Sequence, residues 1–172
     1  MRKPPSCQGC PMYQDGDGFV PDELVEGSEV FVLGQNPGAE EEREGKPFVG
    51  KTGQAMLNEY FPIANLVRGE NVSIGNTLKC RWRKSNNLPI GKTLMDAVAH
   101  CTKSHLRFPQ STRLVVAQGA LATKVMTQNN DISITDWRGF LLPNENTQSE
   151  GARISKVEEE KCQQDGNIEY SV

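Results

Sequence analysis

Four of the five cysteines stand where they could ligate a metal. Cys7-Gln8-Gly9-Cys10-Pro11 is a Cys-x-x-Cys followed by proline, Cys80 follows an apolar run, and Cys101 falls in a stretch of helical periodicity. Four thiolates can hold a four-iron (4Fe-4S) cluster or one zinc ion, and spacing alone does not separate the two. A lone Cys-x-x-Cys is weak evidence, and Cys101 also reads as a small buried hydrophobe. Cys162 lies in a polar stretch and reads as a non-ligand. The basic start, Met1 to Pro5, leads into no apolar h-region, so no secretory signal is read there. An intracellular chain is expected, and disulfides are rare in that compartment, which turns the cysteines toward metal ligation.

A second group follows a short apolar run. Gly34-Gln35-Asn36-Pro37-Gly38 comes directly after Val30 to Leu33. Glycine there lets the backbone approach a ligand, exposed N–H groups can hold an anion or a carbonyl, and the Asn36 amide suits the orienting of a water. On composition alone the same residues make an ordinary strand-end turn. A third group, Gly45-Lys46-Pro47-Phe48-Val49-Gly50-Lys51-Thr52-Gly53, imitates the end of a phosphate loop. That motif needs a strand before it and a helix after, and only the helix is plausible here. Phe48 in such a loop reads as packing unless a flat ligand is expected.

The elements that must carry these groups alternate. Glu29 to Leu33, Asn71 to Lys79, Arg113 to Ala117 and Trp137 to Leu142 read as strands. Helices are expected from Thr52 to about Tyr60, from Thr93 to about Phe108 and from Ala120 to about Thr127. Residues 1–28, 39–50 and 81–91 read as irregular. The order implies an α/β fold of three layers, α/β/α, around a central four-stranded parallel sheet. Ligands in such sheets bind past the carboxyl ends of the strands, where Gly34, Cys80 and Gly119 fall.

The length of 172 residues suits one domain with a real core. Residues 1–143 are expected to form it, and the polar, charge-rich 144–172 to form an exposed or disordered tail. No apolar run approaches a membrane span. The net charge of −3 argues against a general nucleic-acid coat protein but leaves room for a local basic patch. Lys79, Arg81, Arg83 and Lys84, with Trp82 among them, make the most basic stretch. They could neutralise DNA phosphates, or equally form a solvated loop. The two histidines, His100 and His105, read as helix residues without a catalytic role.

In one order, the chain carries Cys7-x-x-Cys10-Pro11, Gly34-Gln35-Asn36-Pro37-Gly38-Ala39-Glu40-Glu41, Gly45 to Gln54 and Asn76-Thr77-Leu78-Lys79-Cys80-Arg81. That ordered set, over about residues 7–143, resembles the iron–sulfur uracil-DNA glycosylases, the fourth family of their superfamily. The resemblance implies hydrolysis of the N-glycosidic bond of a flipped uracil in DNA. It implies that Cys7, Cys10, Cys80 and Cys101 hold a structural 4Fe-4S cluster. The Gly34–Gly38 loop would contact the uracil and position water, with Gln35 and Asn36 as catalytic residues and Gly34, Pro37 and Gly38 lining the base. Phe48 would stack on the base, Asn76 would read its edge, and Glu41 would stand in the pocket wall. The implied partner is uracil-containing DNA, with replication or repair proteins as further candidates and a monomer as the expected state.

The chain also departs from that pattern. The family's usual loop has Glu and Ala where Gln35 and Asn36 stand, and the Gly-x-Asn-Pro-Gly form is similar to mismatch-specific and single-strand-selective relatives. Cys80 and Cys101 are separated by twenty residues, more than the family pattern leads one to expect. After the expected fourth strand the family has a histidine followed by a loop with proline and serine, whereas Phe140-Leu141-Leu142-Pro143 runs into Asn144-Glu145-Asn146. The alternative reading is therefore a catalytically weak or inactive member that binds DNA or protein in a replication or repair assembly.

Overall fold

The computed structural model describes residues 2–82 and 91–135. Its centre is a parallel sheet in the order β3-β2-β5, formed by β2 (Val30–Gly34), β3 (Val72–Asn76) and β5 (Leu114–Ala117). Val32 pairs with Ile74 on one side and with Val116 on the other, which sets all three carboxyl ends level. The expected four strands become three among the described residues, since Trp137–Leu142 lies outside them, as does the expected tail.

Side chains alternate across β2 and so build a core on each face. Val32 packs with Phe48, Met56, Phe61, Val72 and Ile74 on one face. Phe31 and Leu33 pack with Ala122 on the other. Each fully buried large side chain contributes about 1.5–3 kcal/mol relative to exposure. The first face is covered by α2 (Lys51–Ala55), which continues through a π-helical turn, Met56–Tyr60, into α3 (Phe61–Ile63). The second is covered by α5 (Ala120–Thr127). α4 (Lys92–His105) buries Ala97, Val98 and Cys101 in a third cluster with Met12, Leu78 and Leu121.

Three stretches expected to be irregular contain regular elements among the described residues. Residues 39–50 contain α1 (Ala39–Glu44), closed by Gly45 in the left-handed conformation at φ 67°, where glycine carries no Cβ penalty. The lead-in holds a 3-10 turn at Pro5–Cys7 and a two-residue strand, β1 (Gly16–Asp17). The stretch expected as a loop from Arg81 opens with β4 (Arg81–Trp82), antiparallel to β1. This pairing brings the N-terminal cysteines to Cys80: a Cβ on Gly16 would lie 2.5 Å from Cys80 Sγ. Further along, Glu23 and Ile74 exchange backbone hydrogen bonds of 2.8 and 2.9 Å, so the lead-in also flanks β3.

Candidate active site and cysteine centre

A cavity of about 640 Å³ opens past the carboxyl ends of β2 and β3, within the range of small-ligand pockets. Gly34, Gln35, Asn36, Gly38, Glu41, Phe48 and Asn76 line it, so the separate sequence motifs do converge. Pro37 is buried beside them. At the cavity's base the backbone is stitched across strands. Thr77 N–H and Thr77 Oγ1 each donate to Gly34 O at 2.9 Å, and Leu78 N–H donates to Gln35 O at 2.9 Å. Gly34 is required where it stands: a Cβ there would lie 2.5 Å from Asn76 Oδ1 and 2.6 Å from Phe48 Cζ. An aromatic edge and an amide oxygen thus meet at a position only glycine leaves open. Asn36 Nδ2 donates to Pro37 O at 3.0 Å.

Phe48 has φ 52°, a left-handed backbone for a bulky residue, which costs on the order of 1–3 kcal/mol and persists only when its surroundings enforce it. They do so from three directions. Gly53 lets the turn close, since a Cβ there would lie 2.0 Å from Phe48 O. Arg68 donates to Phe48 O at 3.2 Å and to Pro47 O at 2.8 Å, while pairing with Glu23 at 2.7 Å. Glu41 Oε1 accepts the Val49 and Gly50 N–H groups at 3.1 and 2.8 Å. Its Oε2 accepts the Gly38 N–H at 2.9 Å. Glu41 does stand in the pocket wall, with both carboxylate oxygens occupied by backbone.

Two of the four expected DNA-contacting residues are described, and both are paired with carboxylates. Lys79 is buried, at 2% exposure, and pairs with Asp22 at 2.5 Å, so it does not reach phosphates. Burial pushes the Lys79 ammonium down and the Asp22 carboxyl up, each partly offset by the other's charge. Arg81 is half-buried and pairs with Glu42 of α1 at 3.3 Å. Arg83 and Lys84 lie outside the described residues.

A second, small cavity is lined by Cys7, Cys10, Cys80 and Cys101 together. All four thiols are free. Burial raises the Cys80 thiol to about 11 and the Cys101 thiol to about 12, and neighbouring cysteines add to both shifts. Such thiols become good ligands only when a cation offsets their charge. Among the described residues, no group of three or more His, Cys, Asp or Glu side chains is gathered closely enough to hold a metal ion. Both histidines line this cavity rather than the larger one. His105 Nε2 lies 3.3 Å from Cys7 Sγ and its ring meets Phe19 edge-on at 5.0 Å. Burial, with Lys79 nearby, lowers its pKa.

The residues that sequence reasoning missed are Asp22, Glu23, Arg68 and Gln118, the last lining the larger cavity from the end of β5. Single charged residues in a lead-in or a loop give no periodic signal, and their partners lie far away along the chain.

Fold and site together define an α/β protein with a pocket at the strand ends and a separate cavity lined by four cysteines. The family model described as uracil DNA glycosylase superfamily matches residues 21–159. A Type-4 uracil-DNA glycosylase of Thermotoga maritima is 30% identical over 133 residues, 77% of this chain and 67% of that protein. The Type-4 uracil-DNA glycosylase of Sulfurisphaera tokodaii is 37% identical over 76 residues, 44% of this chain and 34% of that protein. That of Archaeoglobus fulgidus is 37% identical over 81 residues, 47% of this chain and 40% of that protein. The chain belongs to the uracil-DNA glycosylase superfamily, on its type-4 branch.

Proposed function

We propose that this chain hydrolyses the N-glycosidic bond of uracil flipped out of DNA. The observation that carries the reading is the meeting of Phe48 and Asn76 at Gly34. A base inside a duplex must leave the stack before its glycosidic bond can be reached. The pocket that receives it needs a ring to stack on and an amide to read its polar edge. Phe48 supplies the first. Asn76 supplies the second, pairing with uracil O4 and N3–H, where cytosine presents the opposite donor pattern. Asn36, its Nδ2 held by Pro37 O, keeps Oδ1 to accept from the attacking water. Gln35 stands beside it, and the Gly34, Pro37 and Gly38 backbone shapes the wall. Glu41 acts through the two loops it joins.

The four cysteines line one cavity, and the family resemblance implies a 4Fe-4S cluster there, with one zinc ion as the alternative occupant. A cluster distributes its four thiolates over separate irons. Cys7, Cys10, Cys80 and Cys101 would hold it. When bound, it supplies a structural tie between the N-terminal turn, β4 and α4. DNA phosphates would then be met by exposed basic residues other than Lys79.

One observation favours a slow enzyme: among the described residues no histidine lines the pocket. Absence of an electrostatic stabiliser of the leaving base raises the barrier by roughly 2.7–4 kcal/mol. The test is excision of uracil from single- and double-stranded DNA by the wild type and an Asn36→Ala variant. Excision that depends on Asn36 supports the reading. DNA binding without excision supports the inactive-member alternative.

A further inference from the structure

Lys79 and Asp22 form a buried ion pair, and a buried ion pair is weak evidence of a stabilising role. Their side chains are 2% and 5% exposed. A buried ion pair is commonly matched or bettered by apolar residues of the same volume. This one is not even complete, since Asp22 Oδ2 is buried with no hydrogen-bond partner. What the pair does hold is the backbone of Asn76. Lys79 Nζ donates to Asn76 O at 2.5 Å and to Asp22 Oδ1 at 2.5 Å. Asp22 Oδ1 in turn accepts the Asn76 N–H at 3.2 Å. Both main-chain polar groups of Asn76 are therefore fixed by one salt bridge. Gly75 makes the approach possible, for a Cβ there would lie 2.0 Å from Asp22 Oδ1. On its other side Lys79 lines the cysteine cavity together with Cys101.

We propose that Asp22 and Lys79 are positioning residues that set the Asn76 amide against the base, from beneath the pocket and without touching substrate. The inference rests on Asn76 being the base-reading residue. A side-chain amide turns freely about its own bonds, and its aim is only as good as the backbone that carries it. Here the peptide groups on both sides of Asn76 are locked by charged partners, whose hydrogen bonds are stronger than neutral ones. A structural ion pair placed elsewhere in the core would leave the reading of uracil untouched when replaced. This pair does not.

The test is a cycle of four full-length proteins: wild type, Asp22→Leu/Lys79→Met, Asn76→Ala, and all three substitutions together. The charge-free double variant is expected to keep the wild-type unfolding midpoint. Its kcat/KM for uracil excision is expected to fall on the order of tenfold, the size of one lost hydrogen bond. Asn76→Ala is expected to cost much less in that background than in the wild type, because an amide already out of place has little left to lose. A double variant with wild-type kcat/KM, or an Asn76→Ala cost equal in both backgrounds, would overturn the proposal. Should the double variant fail to fold, Asp22→Asn replaces it, with a smaller loss and the same non-additivity expected. A wild type that excises no uracil sinks the functional reading alone. The clamp is then judged by hydrogen exchange at the Asn76 amide: about tenfold faster exchange without the pair supports it, and unchanged exchange overturns it.

Discussion

Glu41 Oε1 accepts the Gly50 N–H at 2.8 Å while its other oxygen holds the Gly38 N–H at 2.9 Å. One carboxylate thereby joins the loop that carries Asn36 to the loop that carries Phe48. Glu41→Ala leaves three backbone N–H groups without their acceptor, and each unsatisfied buried donor costs about 1–3 kcal/mol. The variant is expected to lose several kcal/mol in a urea titration. Glu41→Gln retains one acceptor oxygen and is expected to fall between. A Glu41→Ala midpoint equal to wild type would remove the carboxylate from this role.

Gly34→Ala is expected to abolish uracil excision with little change in binding to undamaged DNA. The added methyl would stand 2.5 Å from Asn76 Oδ1 and 2.6 Å from Phe48 Cζ, in the space where the proposed base edge would meet both. A fluorescence binding assay on intact DNA, run beside the excision assay, separates a closed pocket from a lost DNA surface. Excision at the wild-type rate would show that the base sits elsewhere.

Arg68 ties Phe48 to Glu23, and its substitution tests whether the left-handed turn at Phe48 is enforced. Arg68→Met is expected to destabilise the protein by about 1.5–3 kcal/mol, the range for hydrogen bonds to charged groups. It is also expected to raise KM for uracil-containing DNA. Arg68→Lys is expected to restore little, because an ammonium cannot reproduce the fork that reaches a carboxylate and two carbonyls together. Full rescue by lysine, measured in the same titration, would reduce the contact to a simple charge pair.

The cysteine centre predicts colour. Protein purified without oxygen is expected to be brown and to absorb in the visible blue, and Cys10→Ser is expected to lose that absorption. Cys162→Ser is expected to keep it. A colourless wild type containing zinc would contradict the cluster assignment.

The strands β2, β3 and β5 were legible because each is a short apolar run closed by a turn or a change in polarity. The convergence of Gly34, Phe48 and Asn76 was legible from ordered motifs, although no single motif was specific. Lys79 was misread because its neighbours Arg81 and Arg83 suggest a basic patch, and nothing local reveals a partner as distant as Asp22. α1 was missed because Glu40 to Glu44 offers almost no apolar periodicity; Gly38, Gly45 and the Glu41 carboxylate define its ends instead. β1 and β4 are two residues each, too short for any pattern to register. The expected fourth strand falls outside the described residues.

The central claim is that this pocket removes uracil using water oriented by Asn36. The direct measurement is single-turnover excision from uracil-containing single- and double-stranded DNA, comparing wild type with Asn36→Ala. A slow wild-type rate that falls by about a hundredfold or more in the variant, the scale of a lost catalytic group, is the predicted result. A rate unchanged by Asn36→Ala, or no excision by a wild type that still binds DNA, would contradict it.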